Sequence, residues 1–420
     1  MKRIYKITQV ALFGALVVGC TDLDTAPLSS TITADQKEDV VAADPSKIEA
    51  SVTAITANFT QYAKIYTEDD NVHSDIGYPT IMLATDSRTT DFVADITGYN
   101  WYSNSANYSD CLSTSTATIE FWGTLYNQIY TANAVIGTVD NETSDPTLQF
   151  YLAQALAIRA FDYFTLVQLY QFNYKGHEDA PGVPIITSEN AEEVAANGCA
   201  RSTVKETYEF ILGDLNKAIE LLANTKKTRS DKRYVSLDVA YGIRARVHLT
   251  MHNYADALKD AEAALASTSS VPYSSAAVSK PTFIDIEDAS WMWGILITDK
   301  DRVSTTGICN FPSHMGSLNY GYASVGGWRR ISPKLYNQIP ESDVRKGWFL
   351  DDTGVSVNLP AAAQAYITKK GAPVYTQVKY GPMNDEWGSN NNATDVILMR
   401  VEEMILIQAE ATAMGGNVEE

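Results

Sequence analysis

At 420 residues, 45% of them hydrophobic, the chain is long enough for one large or two ordinary domains with a continuous core. Thirty-two basic residues against 51 acidic ones give a net charge of -19, so the surface repels nucleic acid and anionic lipid. Polyanionic ligands are disfavoured on the same ground, and neutral or cationic ones are easier to hold.

The N-terminus reads as a secretory signal. Lys2, Arg3 and Lys6 form a basic head, residues 10–18 are apolar, and Val17-Val18-Gly19 leads into Cys20. The apolar run is too short to stay as a membrane-spanning helix, so residues 1–19 are expected to be cleaved. The stretch resembles a bacterial lipobox, with Val17 where leucine is usual. Cys20 is then the lipidated first residue, and several acyl chains at about 0.8 kcal/mol per buried methylene give lasting attachment. Cleavage removes three basic residues, leaving 29 basic against 51 acidic and a net charge of -22. Thr21-Asp22-Leu23-Asp24 resembles the signal that sends Bacteroidetes lipoproteins to the outer face of the outer membrane, whereas enterobacteria read aspartate here as inner-membrane retention. Residues 20–45, polar, small and broken by Pro27 and Pro45, read as a tether below a body at 46–420.

The body begins with apolar residues at helical spacing: Ile48, Val52, Ile55 and Phe59, continuing to Tyr62 and Tyr66. Residues 120–139 and 147–170 form two more helices, expected to pack as a pair. Residues 203–223 follow, opened by Ser202 or Thr203 with Glu206 as a capping box. Residues 236–266 carry Ala245, Ala257 and Ala264 at a spacing that resembles a tetratricopeptide repeat, with helices at 237–250 and 254–265. From 267 to 395 glycine, proline, asparagine and aromatics dominate, and this reads as a loop-rich segment with a turn or two of helix near 333–339. Helix is expected again over 396–414, closed by Gly415-Gly416. Helical repeats thus occupy about 46–266 and 396–420. The last repeat helix has no partner after it, so the chain is expected to lack a C-terminal part.

No catalytic constellation is present: neither G-x-S-x-G, H-E-x-x-H nor a phosphate-cradling glycine loop occurs. His248 and His252 are four apart, with Asp256 as a conceivable third ligand, and read as ordinary packing. Asp69, Asn71 and Asp75 alternate as in a calcium loop, but Ser74 and Thr80 stand where glycine and glutamate are required, leaving only an irregular structural calcium site. No other cofactor is called for. Asp351-Asp352 and Glu402-Glu403 are sequence neighbours, which cannot straddle a glycosidic bond. Cys111, Cys199 and Cys309 lie far apart without metal-ligand spacing, and their odd number leaves at least one thiol unpaired.

Aromatics in turn-rich stretches are the stronger signal. Tyr99-Asn100-Trp101-Tyr102-Ser103-Asn104 and Asn319-Tyr320-Gly321-Tyr322, the latter followed by Gly326-Gly327-Trp328-Arg329-Arg330, join rings to amides and charges. Flat rings stack on the apolar faces of sugars while Asn, Asp and Arg bond their hydroxyl edges, a composition suited to neutral glycans. For any single ring, burial in a core is the commoner fate.

Several segments together resemble the SusD/RagB family of outer-membrane lipoproteins. They are Cys20-Thr21-Asp22-Leu23-Asp24 with Pro27, the helix Ala155-Leu156-Ala157-Ile158-Arg159-Ala160-Phe161-Asp162-Tyr163-Phe164, Pro181-Gly182-Val183-Pro184-Ile185, the stretch from Arg330-Ile331-Ser332-Pro333 to Gly347-Trp348-Phe349, and Leu398-Met399-Arg400-Val401-Glu402-Glu403-Met404. The resemblance implies a mostly α fold, a tetratricopeptide-like helical scaffold with a loop-rich ligand-binding half. It implies a non-enzymatic surface lipoprotein that binds a nutrient oligosaccharide and delivers it to a SusC-like TonB-dependent transporter. Peptide delivery, as in the RagB branch, is the alternative, and a lipid-anchored glycoside hydrolase drawing on Asp86, Asp91 or Asp95 is a third reading. Carried onto this chain, the ligand surface comprises Trp101 and Trp328 as stacking platforms, Tyr320 and Tyr322 as flanking rings, and Asn100, Asp86 and Arg88 as hydrogen-bonding partners, with Arg329 as an outside candidate.

Overall fold

A computed structural model of the chain describes residues 34–62, 72–95, 97–305 and 307–415. Cys20, the signal and most of the tether lie outside them, as do Asp69 and Asn71 of the calcium-like run, Tyr66 of the first helical stretch and Gly416. The chain divides into two units, Met1–Lys47 and Ile48–Glu420. Of the first, the described part is helix α1 (Ala34–Ala43) and the start of a 3-10 turn at Pro45–Ile48, where Asp44 accepts from the Ser46 backbone N–H at 3.1 Å.

The second unit is mostly helical. Its longer helices are α2 (Glu49–Ala57), α3 (Tyr78–Ser87), α4 (Thr116–Ile136), α5 (Pro146–Tyr170), α6 (Val204–Asn224), α7 (Leu237–Thr250), α8 (Tyr254–Ser267), α9 (Ala361–Lys370) and α10 (Val401–Met414). Helix α5 is the axis of the core. Phe150 to Val167 are buried without a break, the pattern of a helix covered on every side. Asp145 caps it, accepting from Thr147 and Leu148 N–H at 2.8 and 3.0 Å, and Pro146 opens it where no N–H is needed. It packs on α4, as expected from sequence, and on α6. The capping box on α6 uses Thr203: the Glu206 N–H donates to its Oγ1 at 3.1 Å while Glu206 accepts from the Thr203 N–H at 2.8 Å.

Helices α7 and α8 are the two arms of the predicted repeat, and Ala245, Ala257 and Ala264 are fully buried where the arms meet. Small residues there let the backbones approach. His252 sits in the turn between them at φ +62°, off the α7 face that bears His248, so the two do not form a chelating pair. No group of three or more metal-ligand side chains occurs among the described residues.

Three expectations are corrected. The first helical stretch, expected to continue to Tyr62, ends at Ala57. Residues 396–400 are strand, not helix: Val396, Ile397 and Leu398 begin with β-branched residues that suit pleated structure, and β4 (Val396–Arg400) pairs antiparallel with β2 (Trp291–Ile295). Helix starts only at Val401. The loop-rich segment also holds a full helix, α9, opened by Pro360 and closed by Gly371 in the left-handed conformation at φ +70°. A second ribbon pairs β1 (Phe92–Ala94) with β3 (Arg329–Ile331), Phe92 opposite Ile331 and Ala94 opposite Arg329. No described helix is long and apolar enough to cross a membrane, and Cys111, Cys199 and Cys309 are free thiols.

Inside the core, Arg159 of α5 forks onto Asp214 of α6 through two hydrogen bonds of 2.8 Å and donates to Asn133 of α4 at 2.7 Å. Both charged groups are buried, so each is tolerable only because the other is present. Replacing Asp214 by Ala strands the guanidinium, and we expect a loss of about 3–5 kcal/mol in urea unfolding. An unchanged midpoint would show that the three helices do not need the clamp.

Candidate ligand-binding site

The β1–β3 ribbon places two loops side by side. Residues 95–102 leave β1 just where residues 320–328 enter β3, so aromatics more than two hundred positions apart become neighbours. Two glycines let them close. A Cβ on Gly327 would lie 2.8 Å from the Tyr99 carbonyl oxygen and 3.0 Å from that of Tyr322, and one on Gly326, at φ +141°, would lie 2.9 Å from the Tyr99 ring.

Tyr322 is the hub of the resulting cluster. Its ring centroid lies 6.0 Å from Trp101 and 6.4 Å from Tyr99, and its hydroxyl is hydrogen-bonded to Nδ1 of His73. The His73 ring is 4.9 Å from Trp101. Tyr99 is 51% exposed, Trp101, Tyr322 and His73 are half-buried, and Tyr320, near Tyr322 in sequence, is 44% exposed. Behind them His314, fully buried, stacks on Tyr322 at 5.1 Å and donates from Nε2 to the His73 carbonyl at 2.8 Å. Burial pushes the His314 imidazole down to about 3, and burial also lowers His73. The cluster is therefore a neutral set of ring faces with hydroxyl and imidazole edges, an arrangement suited to the apolar face and hydroxyls of a sugar.

Of the residues expected from sequence, Trp101 and Tyr322 come together here, Tyr320 is exposed near Tyr322 in sequence with no ring contact among the described residues, and the others lie elsewhere. Trp328 is 6% exposed and packs with Leu318, Leu350, Ile367 and Val378, so it is core, not a platform. Asn100 is buried, its amide donating to the Asp95 carbonyl at 3.1 Å and its Oδ1 accepting from Tyr102 N–H and from Arg329. It shapes the loop from within. Arg329 is fully buried, donating to Asn100 Oδ1 at 2.7 Å and to the His314 carbonyl at 2.8 Å, with the Phe92 and Tyr102 rings over its guanidinium. Burial lowers it to about 10, so it stays charged at neutral pH without facing a ligand. Arg88 is paired with Asp110 at 3.1 Å, and Asp86 is exposed near the end of α3. His73 and His314 were missed by sequence reasoning, since no local motif ties either to loops so distant. Tyr99 stands in the stretch that drew attention but was not chosen.

Asp75, the described member of the calcium-like run, is buried and accepts from Gln61 at 3.3 Å. Its charge, together with the larger effect of burial, pushes nearby Glu120 up to about 8.

A SusD-like family model described as "Starch-binding associating with outer membrane" matches residues 35–249, just over half of the chain. The chain belongs to the SusD-like family. Among solved structures it is similar to a SusD-like carbohydrate-binding protein from Bacteroides vulgatus, with 24% identity over 88% of this chain and 72% of that one at a TM-score of 0.70. A SusD superfamily protein from Bacteroides thetaiotaomicron matches at 20% identity, 89% and 76% coverage and a TM-score of 0.68. Surface glycan-binding protein A of the same organism, solved with laminarihexaose, matches at 18%, 88% and 79%, and 0.56. At these identities the structures attest the SusD-like fold. No curated protein matches the sequence.

Between about pH 6.5 and 3 the unfolded SusD-like chain protonates residue 314 while the folded chain does not. The stability this neutral imidazole permits is complete above pH 6.5 and is lost as pH falls. His314→Gln, which keeps a donor for His73, should flatten that decline by up to about 1.4 kcal/mol per pH unit in urea titrations at pH 6.5 to 4. An unaltered slope would mean that His314 titrates normally.

Proposed function

We propose that this SusD-like protein is a surface-exposed binding protein that holds a neutral oligosaccharide on the Tyr99, Trp101 and Tyr322 rings and passes it to a SusC-like TonB-dependent transporter. The observation that carries this reading is the half-exposed aromatic cluster, built from three separate segments and left open at the surface. A protein whose only business there was folding would bury such rings. The laminarihexaose complex of a SusD-like fold supports the choice of a glycan, and the family description supports association with the outer membrane.

Binding rather than hydrolysis is favoured by the local carboxylates. Asp95 is paired with Arg330, and the exposed Asp91 carboxylate meets only the neighbouring Thr90 hydroxyl at 3.4 Å among the described residues, so the two do not supply a buried acid facing a nucleophile. Attachment is assigned to acyl chains on Cys20, which keep the body on the outer face of the outer membrane and near the transporter.

Calorimetry with laminarihexaose and maltohexaose tests the site. Trp101→Ala should weaken binding at least tenfold, because removing a stacked ring at the centre of a binding surface costs about 2 kcal/mol or more. Tyr322→Phe keeps the ring but loses the His73 bond, and a smaller loss is expected. Saturable binding of peptides alone would replace the glycan with a peptide cargo, and turnover of the glycan would make the protein a hydrolase. Cys20→Ala should impair uptake in cells without changing affinity in solution, and normal uptake would remove the anchor from the mechanism.

A further inference from the structure

A second aromatic surface lies in the loop-rich half. A cavity of about 840 Å³ opens between segments 280–285, 357–360 and 383–387, within the size range of small-molecule sites. The half-buried indole of Trp387 forms part of its lining and is packed against the cluster that holds Leu318 and Trp328. Ile284 adds apolar surface, and Lys280, Asp285, Asn384 and Asp385 supply polar groups at the rim.

The rim has an unusual backbone. Asn384 (φ +55°) and Asp385 (φ +57°) are consecutive non-glycine residues in the left-handed region, and neither side chain makes a hydrogen bond among the described residues. Asn and Asp are the non-glycine residues that most readily take this conformation, and here they leave an amide and a carboxylate at the cavity rim without internal partners. Asp395, also in the lining, differs: both its oxygens accept backbone N–H groups, from Ile286 and Ile297 at 2.7 Å, so it is wall.

Charge narrows the ligand. Asp285 and Asp385 outnumber Lys280, which disfavours uronates and sulfated sugars and leaves neutral or cationic ligands. An indole beside the unbonded Asn384 amide and Asp385 carboxylate matches the apolar face and hydroxyl edge of one neutral ring, while Asp285 is engaged by the Glu287 N–H at 2.9 Å. The segment is also joined to the first site: Gly388 N–H donates to the Leu318 carbonyl at 2.8 Å, and Tyr320 N–H donates to the Ser389 carbonyl at 3.0 Å.

We propose that the Trp387 cavity is a second saccharide subsite, taking a neutral pyranose unit against the indole with its hydroxyls on Asn384 and Asp385. This rests on the glycan-binding reading above and adds a second point of attachment to it.

Calorimetry and affinity electrophoresis of the full chain, with laminarihexaose, maltohexaose and their neutral polymers laminarin and amylopectin as probes, test it. Trp101→Ala should leave residual binding of the polymer that binds the unaltered protein. Adding Asn384→Ala with Asp385→Ala to that variant should reduce the residue at least tenfold. These two side chains are exposed, so the result does not depend on whether Trp387→Ala folds. If Trp101→Ala alone abolishes all saccharide binding, or the triple variant binds as the single one does, the second subsite is overturned while the first stands. If no saccharide binds the unaltered chain, both readings fall. If a lysine-rich peptide binds and is lost with Asn384 and Asp385 while sugars are not, the cavity is a peptide site and the saccharide assignment is wrong.

Discussion

The aromatic cluster depends on a guanidinium sealed in the protein, with no carboxylate paired to it among the described residues. Arg329 reaches Asn100 from the opposite strand of the β1–β3 ribbon and reaches back to the His314 carbonyl, so one side chain joins the early loop, the late loop and the segment behind them. A buried charge is costly, and here the cost is offset by two oxygen acceptors and by the ring faces of Phe92 and Tyr102. Removing Asn100 would leave that charge with one acceptor fewer. Asn100 and Arg329 thus serve the rings by holding the two loops together from within.

Much of the scaffold was legible because helices announce themselves locally. The run around Ala155 to Phe164 has no polar face wide enough to meet water, Thr203 and Glu206 bracket a helix start, and the alanines at 245, 257 and 264 mark where two helices approach. Residues 396–400 misled because the alanines from Ala409 onward extend a helical pattern backwards. What decided their state was β2, a strand a hundred residues earlier whose edge needed a partner. Helix α9 was missed for a related reason: Ala361 to Ala363 sit between prolines and glycines whose punctuation suggested loop, although Pro360 and Gly371 are its caps.

The site was legible by composition and not by position. The stretches around Trp101 and Tyr322 could be picked out as aromatic and turn-rich, but which ring is wet depends on contacts that no local pattern encodes. Trp328 and Tyr322 are six residues apart, yet one fills a gap among Leu318, Leu350 and Val378 while the other faces the rings of the early loop. Asn100 and Trp101 are adjacent, yet the amide points inward to Arg329. His73 comes from a segment that nothing in the sequence associates with aromatics, and it is the imidazole that holds the Tyr322 hydroxyl.

The neutrality of the cluster bears on the proposed release of cargo. His314 is kept uncharged by burial and the facing rings carry no charge, so attraction there is short-ranged and changes little with salt or with pH near neutrality. On the delivery role proposed above, such a surface is an advantage, because a weak contact with fast dissociation can surrender its ligand to a neighbour. A long glycan can still be retained if it touches a second ring surface, since the second contact then forms at the high local concentration set by the first. With the second subsite proposed above, two modest ring sites would reconcile capture of a polymer with release of each segment, which a single tight pocket would not.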